Sequence, residues 1–364
     1  MSLKNDKSII KKIEWTGPRF TFPSLKPGDE LYDYAKSNPF YNQGRAILGD
    51  TYPMTWAADG NTYVSCGDSN WGKKFDGLDI ERFEGDPLNY KIKKVNEMRG
   101  YTGGGGDGVK PCGMISVKGV LYLAFQNLLR NKPPVYGSCS QHGSDAMIVS
   151  SRDFGKTWTP DIKKIKEPMF PGSAFGGPAF INSGKDNKNA RDNYVYAVSG
   201  DQWDNGSNLR LGRVPKDKIA SRESWEFVTG ITRDNRAEWS RDLKKAVSVL
   251  FSDRKISLPD MVYIAPLKRY LLLTWSLHLD FDPDFGSALY IYESPEPWGP
   301  FTLVHYEKMW EEKVVNPYCP RIPLKWMSKD GLNGWLQFSG NWAPNSQYYR
   351  SHIRPFKITL NKGR

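Results

Sequence analysis

Long hydrophobic runs are missing from this chain of 364 residues. Apolar runs are only a few residues long, as at positions 270–275, far short of the roughly 20 apolar residues of a membrane-spanning helix, so helical spans are excluded. Cysteine and histidine are scarce, with four of each. No two cysteines form a CxxC pair and the histidines are scattered, which argues against a structural zinc site. Cys66, Cys112, Cys139 and Cys319 leave room for one or two disulfides. There is no Gly-X-Y period and no sustained heptad, so collagen and coiled coil are out. Helical patterning is rare: 242–249 and 31–35 are the best stretches, and each is short. The glycines at 103–106 lack the Gly-Lys-Ser/Thr ending of a phosphate loop. The acids at 280, 282 and 284 lack the spacing of an EF-hand. No cofactor and no metal are expected. The first residues are polar and lack an apolar signal core. The chain reads as cytoplasmic, or as secreted or periplasmic if a signal has been removed.

What the chain has instead is turns and aromatics. Thirty-four glycines, 25 prolines and 13% aromatic residues describe a globular, turn-rich protein with a sizeable core. Lysine and arginine exceed aspartate and glutamate by 51 to 40, a net charge of +11. The basic residues are dispersed, with short clusters at 7–12 and 163–166 and no basic helix. Nucleic acid is therefore not expected as a partner. The excess is a mild bias toward anionic surroundings.

The organising pattern is a repeated hairpin. Residues 49–57 turn at Asp59-Gly60 into 62–66, and Asp-Gly between two β-rich runs is a strong hairpin signal. The same plan recurs at 113–117 into 120–125, at 179–182 into 194–198, at 261–265 into 270–275, and at 322–326 into 334–338. Each hairpin is followed by a weaker strand pair: 78–83 and 90–93, 146–150 and 157–158, 208–212 and 225–228, 288–292 and 300–304, 348–353 and 356–360. Five units of four strands predict an all-β fold, a five-bladed β-propeller with four-stranded antiparallel blades. Residues 1–43 are expected to form an arm with the ring-closing strand at 15–22, and 44–364 a single propeller domain. An open ring would leave an unpaired edge.

Two kinds of aspartate stand out. Residues 151–158 match the Asp-box pattern SxDxGxTW, which resembles hairpins of sialidases and related glycan-active propellers. There Asp153 is expected to bind backbone N–H groups, Gly155 to take a positive φ and Trp158 to anchor the hairpin. It is a structural turn, so Asp153 is excluded from catalysis. Asp50 and Asp68 are different. With a two-residue turn at Asp59-Gly60, Asp50 faces position 69 and Asp68 faces position 51. Both carboxylates then lie at the open end of one hairpin, roughly 5–8 Å apart. In a propeller that end meets the central cavity, and paired carboxylates there suit acetal hydrolysis.

The run Gly49-Asp50-Thr51-Tyr52-Pro53-Met54-Thr55-Trp56-Ala57-Ala58-Asp59-Gly60, with Gly67-Asp68, resembles the opening signature of a family of five-bladed propellers long catalogued as a domain of unknown function. Lys110-Pro111-Cys112-Gly113-Met114, the Asp-box segment, Lys325-Trp326 and Phe338-Ser339-Gly340-Asn341-Trp342 fit the same pattern, over roughly 44–345. Some members are glycoside hydrolases cleaving inside D-arabinan chains of mycobacterial cell-wall glycans. The resemblance implies that Asp50 and Asp68 are the catalytic carboxylates. It does not carry the substrate across.

Equivalent positions in the other units supply substrate-binding candidates: Trp71, Lys110, Gln126, Asn127, Asp201, Trp203, Asp260, His278, Asp280, Asn341 and Trp342. Trp71 offers an aromatic face to a sugar. Asp260 or Asp280 would be a third carboxylate raising the pKa of the first pair by like-charge repulsion. The expectation is a glycoside hydrolase, probed first with arabinan-type chains, acting as a monomer on a poly- or oligosaccharide without inserting into a membrane. The alternatives are a non-catalytic glycan- or protein-binding propeller and, ranked last, a sialidase-like enzyme. The latter needs an arginine cluster that the expected central strands lack.

Overall fold

Alternation of apolar residues on both faces of short strands sets the architecture. In the strand Thr62–Gly67, Tyr63 packs toward the following sheet, while Val64 and Cys66 pack toward the preceding one. A strand buried on both faces belongs inside a stack of sheets. The computed structural model describes residues 8–21, 49–68, 78–98, 109–129, 143–161, 164–277, 286–311, 314, 316–340 and 349–361. They form five antiparallel sheets arranged as the blades of a propeller.

The N-terminal strands are β1 (Ile10–Trp15) and β2 (Phe20–Thr21). Blade one holds β3 (Met54–Trp56), β4 (Thr62–Gly67), β5 (Leu78–Glu84) and β6 (Lys91–Glu97). Blade two holds β7 (Lys110–Val117), β8 (Val120–Gln126) and β9 (Met147–Ser151), its fourth position reduced to a bridge between Ser150 and Thr159. Blade three is enlarged, with β10 (Ala179–Phe180), β11 (Tyr194–Gly200), β12 (Gly206–Pro215), β13 (Glu226–Ile231), β14 (Ala237–Ser240) and β15 (Leu250–Ile256). Blade four holds β16 (Asp260–Ile264), β17 (Arg269–Leu277), β18 (Ser287–Ser294) and β19 (Thr302–Glu307). Blade five holds β20 (Tyr318–Arg321), β21 (Asn333–Ser339) and β22 (Ser351–Leu360).

Blade five departs from the sequence expectation in three ways. Its inner strand is Tyr318–Arg321, not 322–326, which instead includes a 3-10 turn at Leu324–Trp326. Prolines at 317, 320 and 323 surround and interrupt this strand, and proline disguises a strand because it donates no ladder bond. Residues 351–360 form one strand rather than two. The fourth strand is β1, paired antiparallel with β22 from Ile10↔Leu360 to Trp15↔Phe356. Closure thus falls mainly at Ile10–Trp15, while the expected 15–22 contributes Trp15 and the two β2 pairs at Phe20 and Thr21. The expected helix at 242–249 is only a 3-10 turn at Leu243–Lys245, capped by Asp242. The one expected at 31–35 lies outside the described residues.

Five apolar clusters fill the seams between neighbouring blades. The seam between blades two and three is rich in aromatics, with Phe170, Phe175, Phe227 and Trp225 in edge-to-face and tilted contacts. Truncating a buried tryptophan such as Trp225 to alanine costs about 3–5 kcal/mol. Nearer the axis the joint is polar. Asn182 Nδ2 donates to the carbonyls of Met54 and Met114, and Asn182 Oδ1 accepts from Thr55 Oγ1 at 2.7 Å. The Asn182 carbonyl accepts from Tyr263 N, so one side chain and its backbone join four blades.

Candidate active site

The first hairpin does not have the register expected of a two-residue turn. Met54 pairs with Val64 and Trp56 with Thr62, because Ala57 N bonds to Asn61 O around a three-residue loop. A second irregularity follows: Asp50 pairs with Gly67, both amides bonding across at 2.7 and 2.9 Å. The chain between bends sharply, with positive φ at Gly49 (67°), Thr51 (63°) and Tyr52 (43°). Asp68 is also left-handed, at φ 53°. Such conformations are costly for non-glycine residues and concentrate at functional sites. Gly67 is required here, since a Cβ would meet Asp50 Oδ1 at 2.6 Å and Pro111 at 3.1 Å.

This bend brings two carboxylates together and buries both. Asp50 Oδ2 accepts from the Tyr318 hydroxyl at 2.9 Å, while Oδ1 is buried without a hydrogen-bond partner. Asp68 forms an ion pair with Lys110 through Oδ1 and accepts from the Tyr349 hydroxyl at 2.9 Å through Oδ2. Burial pushes the Asp50 carboxyl up to about 7, and the charge of Asp68 adds to the rise. Lys110 and the hydroxyls of Tyr318 and Tyr349 oppose it without overcoming it. Burial, reinforced by the aspartates, raises both tyrosines well above their ordinary range, so they stay protonated donors.

Lys110 thus meets Asp68 rather than waiting for an anion. Gln126 sits opposite Lys110 in the β7–β8 register, with both amide atoms buried and unpartnered. Asn127 follows at φ 61°, its N–H donating to Ser144 O. Asp260, the expected like-charge tuner, is neutralised by Arg321, whose Nη1 lies 2.9 Å from Asp260 Oδ1. Burial raises the Asp260 carboxyl and Arg321 opposes this. The like charge acting on Asp50 is Asp68 instead. Blade three contributes less than its sequence position implied. Asp201 bonds its own loop, at Ser207 N and Asn208 Nδ2, and Trp203 lies inside the apolar seam beside Trp225 and Trp275. Trp71, His278, Asp280, Asn341 and Trp342 lie outside the described residues, as does Cys139. Cys66, Cys112 and Cys319 are buried, and among the described residues they form no disulfide.

Four further residues are not among the candidates that the sequence supplies. Tyr318 and Arg321 sit on the proline-interrupted inner strand of blade five, and Tyr349 directly precedes β22. Asp204, 1% exposed after β11, has one oxygen without a partner, and burial alone pushes its carboxyl up to about 7. Only the ring brings Tyr318 to Asp50 and Arg321 to the Thr51 carbonyl.

No family model matches the sequence, and no curated protein matches it. Solved structures share its architecture. The catalytic domain of a GH62 α-L-arabinofuranosidase from Coprinopsis cinerea aligns with a TM-score of 0.50 at 11% identity, over 96% of this chain and 98% of that one. A mutant GH43 protein from Bacillus licheniformis gives 0.52 at 10% identity, over 95% of this chain and 57% of the other. An α-L-arabinanase from Cellvibrio cellulosa, solved with arabinohexaose, gives 0.50 at 12% identity, over 87% and 96%. The chain shares the propeller fold of these solved structures. At such identities the likeness is one of fold alone.

Proposed function

We propose that this protein is a glycoside hydrolase in which Asp50 is the proton donor and Asp68 the nucleophile or base. The observation that carries the reading is the contrast within the pair. One carboxyl is buried, half-unpartnered and raised to about 7, and the other is ion-paired with Lys110. An acid that keeps its proton near neutrality can protonate a departing sugar oxygen. A carboxylate fixed by a cation and a hydroxyl can attack the anomeric carbon or activate water. The tyrosine hydroxyls and Lys110 orient the pair, which favours a productive geometry over free rotation. Propeller neighbours that act on arabinose-containing glycans and the opening signature at 49–68 both support arabinans as the first substrates to try.

The test is release of reducing ends from a panel of polysaccharides, arabinans included, by the parent chain and by Asp50→Asn and Asp68→Asn. Cleavage by the parent and its loss in both variants is the expected result. Full activity in either variant, or binding of a glycan with no cleavage by the parent, overturns the assignment.

A further inference from the structure

The bend that carries Asp50 is held from another blade. Thr51, the residue after Asp50, has both of its backbone polar groups bound by side chains of blade five. Its N–H donates to Ser339 Oγ at 3.1 Å, and its carbonyl accepts from Arg321 Nε at 2.6 Å. Arg321 is 1% exposed, and its Nη1 is fixed by Asp260 of blade four at 2.9 Å. One guanidinium therefore ties blade four to the backbone of blade one. Thr51 is β-branched and held at φ 63°, a conformation that persists only where surroundings enforce it. Within the bend itself, Tyr52 N donates to Asp50 O at 2.8 Å and Tyr52 OH donates to Gly49 O at 3.1 Å.

We infer that Arg321 and Ser339 are positioning residues that clamp Thr51 in its left-handed conformation and thereby aim the Asp50 carboxyl at the site. This rests on the proposed role of Asp50. The fork geometry explains why arginine is needed: Nε and Nη1 reach two acceptors in different directions, which a lysine point charge cannot do at once. Asp260 keeps the buried guanidinium neutralised, so its role is to support the clamp. The groups facing the Asp50 carboxyl are Tyr318 and Cys319 from β20, Tyr349 from before β22, Lys110 from β7, and Tyr52, Cys66 and Asp68 from its own hairpin. None is altered by changing Arg321 or Ser339. A shift in Asp50 on such a change reports its placement.

The experiment uses the full chain labelled with carbon-13 at aspartate Cγ, with the Asp50 resonance assigned by its loss in Asp50→Asn. Arg321→Lys and Ser339→Ala are titrated beside the parent. Relaxation of the bend admits water to Asp50, so its midpoint is expected to fall by about one pH unit or more in Arg321→Lys and by less in Ser339→Ala. With an arabinan as probe, kcat is expected to fall about 10- to 100-fold in Arg321→Lys with KM little changed. An Asp50 midpoint unmoved in folded Arg321→Lys overturns the clamp. If that variant does not fold, Ser339→Ala decides by the same titration, since it removes one hydroxyl and no charge. A shifted midpoint in a protein that cleaves no glycan upholds the clamp and removes the hydrolase reading instead.

Discussion

Asp50 and Asp153 occupy similar sequence settings, each at a hairpin with glycine close by, and they live in opposite environments. Asp153 is partly exposed, and its oxygens accept from Ser151 Oγ, Thr157 N and Thr157 Oγ1 at 2.6–2.9 Å. Slight burial works against its charge, yet the bonds from Thr157 and Ser151 lower its carboxyl to about 2. Gly155 takes φ 90°, and Trp158 donates to its carbonyl while packing on the seam between blades one and two. Asp50 is buried, keeps an unpartnered oxygen and is raised to about 7. A fully bonded, ionised carboxylate has nothing left to do but hold a turn. A desolvated carboxyl beside a second one is costly to keep, which supports the role proposed for Asp50. The motif with the more regular spacing is therefore the structural one.

Catalysis gives the widest separation between the two aspartates. Asp50→Asn and Asp68→Asn should each lower glycan cleavage by about 10²–10⁴-fold, while Asp153→Asn leaves kcat at the parent value, read from initial rates. Stability separates them next. Lys110→Met strips the cation from a buried Asp68 and should destabilise the fold by about 3–5 kcal/mol, measured by urea unfolding.

The pH dependence is of opposite sign for raised and lowered carboxyls. Asp204, like Asp50, is raised to about 7, so the folded chain holds a proton that the unfolded chain releases. That favours folding at low pH, and the benefit is lost as pH rises through about 7. At about 1.4 kcal/mol per unit, with relaxation of a buried site allowed for, Asp204→Asn should gain about 1–2 kcal/mol at pH 8 relative to pH 4, seen as a raised Tm. A variant that gains nothing at pH 8 would contradict a buried, unpaired Asp204. Asp153→Ala should show the smallest effect, a loss of about 1 kcal/mol for a partly exposed turn. Because its carboxyl is lowered, that loss is present above pH 4 and fades as pH falls toward 2, again by Tm.

Much of the propeller is legible in the chain, because a strand buried on both faces needs neighbours on both sides and the hairpin pattern counts those strands. Blade five resists that reading. Prolines at 320 and 355 lie within its strands, and its fourth strand comes from the opposite end of the chain. That same blade supplies Tyr318, Arg321 and Ser339 to the site. The omissions in the fold and in the site therefore share one origin. Register was the other gap: a three-residue loop and a left-handed bend move Asp50 opposite Gly67, and no local signal announces either.

By itself the sequence determined the repeat of short strands, the apolar faces that stack them, and two aspartates placed at one end of the first hairpin. These follow from local alternation and turn chemistry, which act over a few residues. Ring closure decided the rest. It set Tyr318 and Tyr349 on the two carboxyls, turned Lys110 into the partner of Asp68, and neutralised Asp260 with Arg321. It also withdrew water from Asp50. A carboxyl's affinity for its proton depends on the solvent and charges around it, and residues far apart in the chain supply those only when the ring is shut.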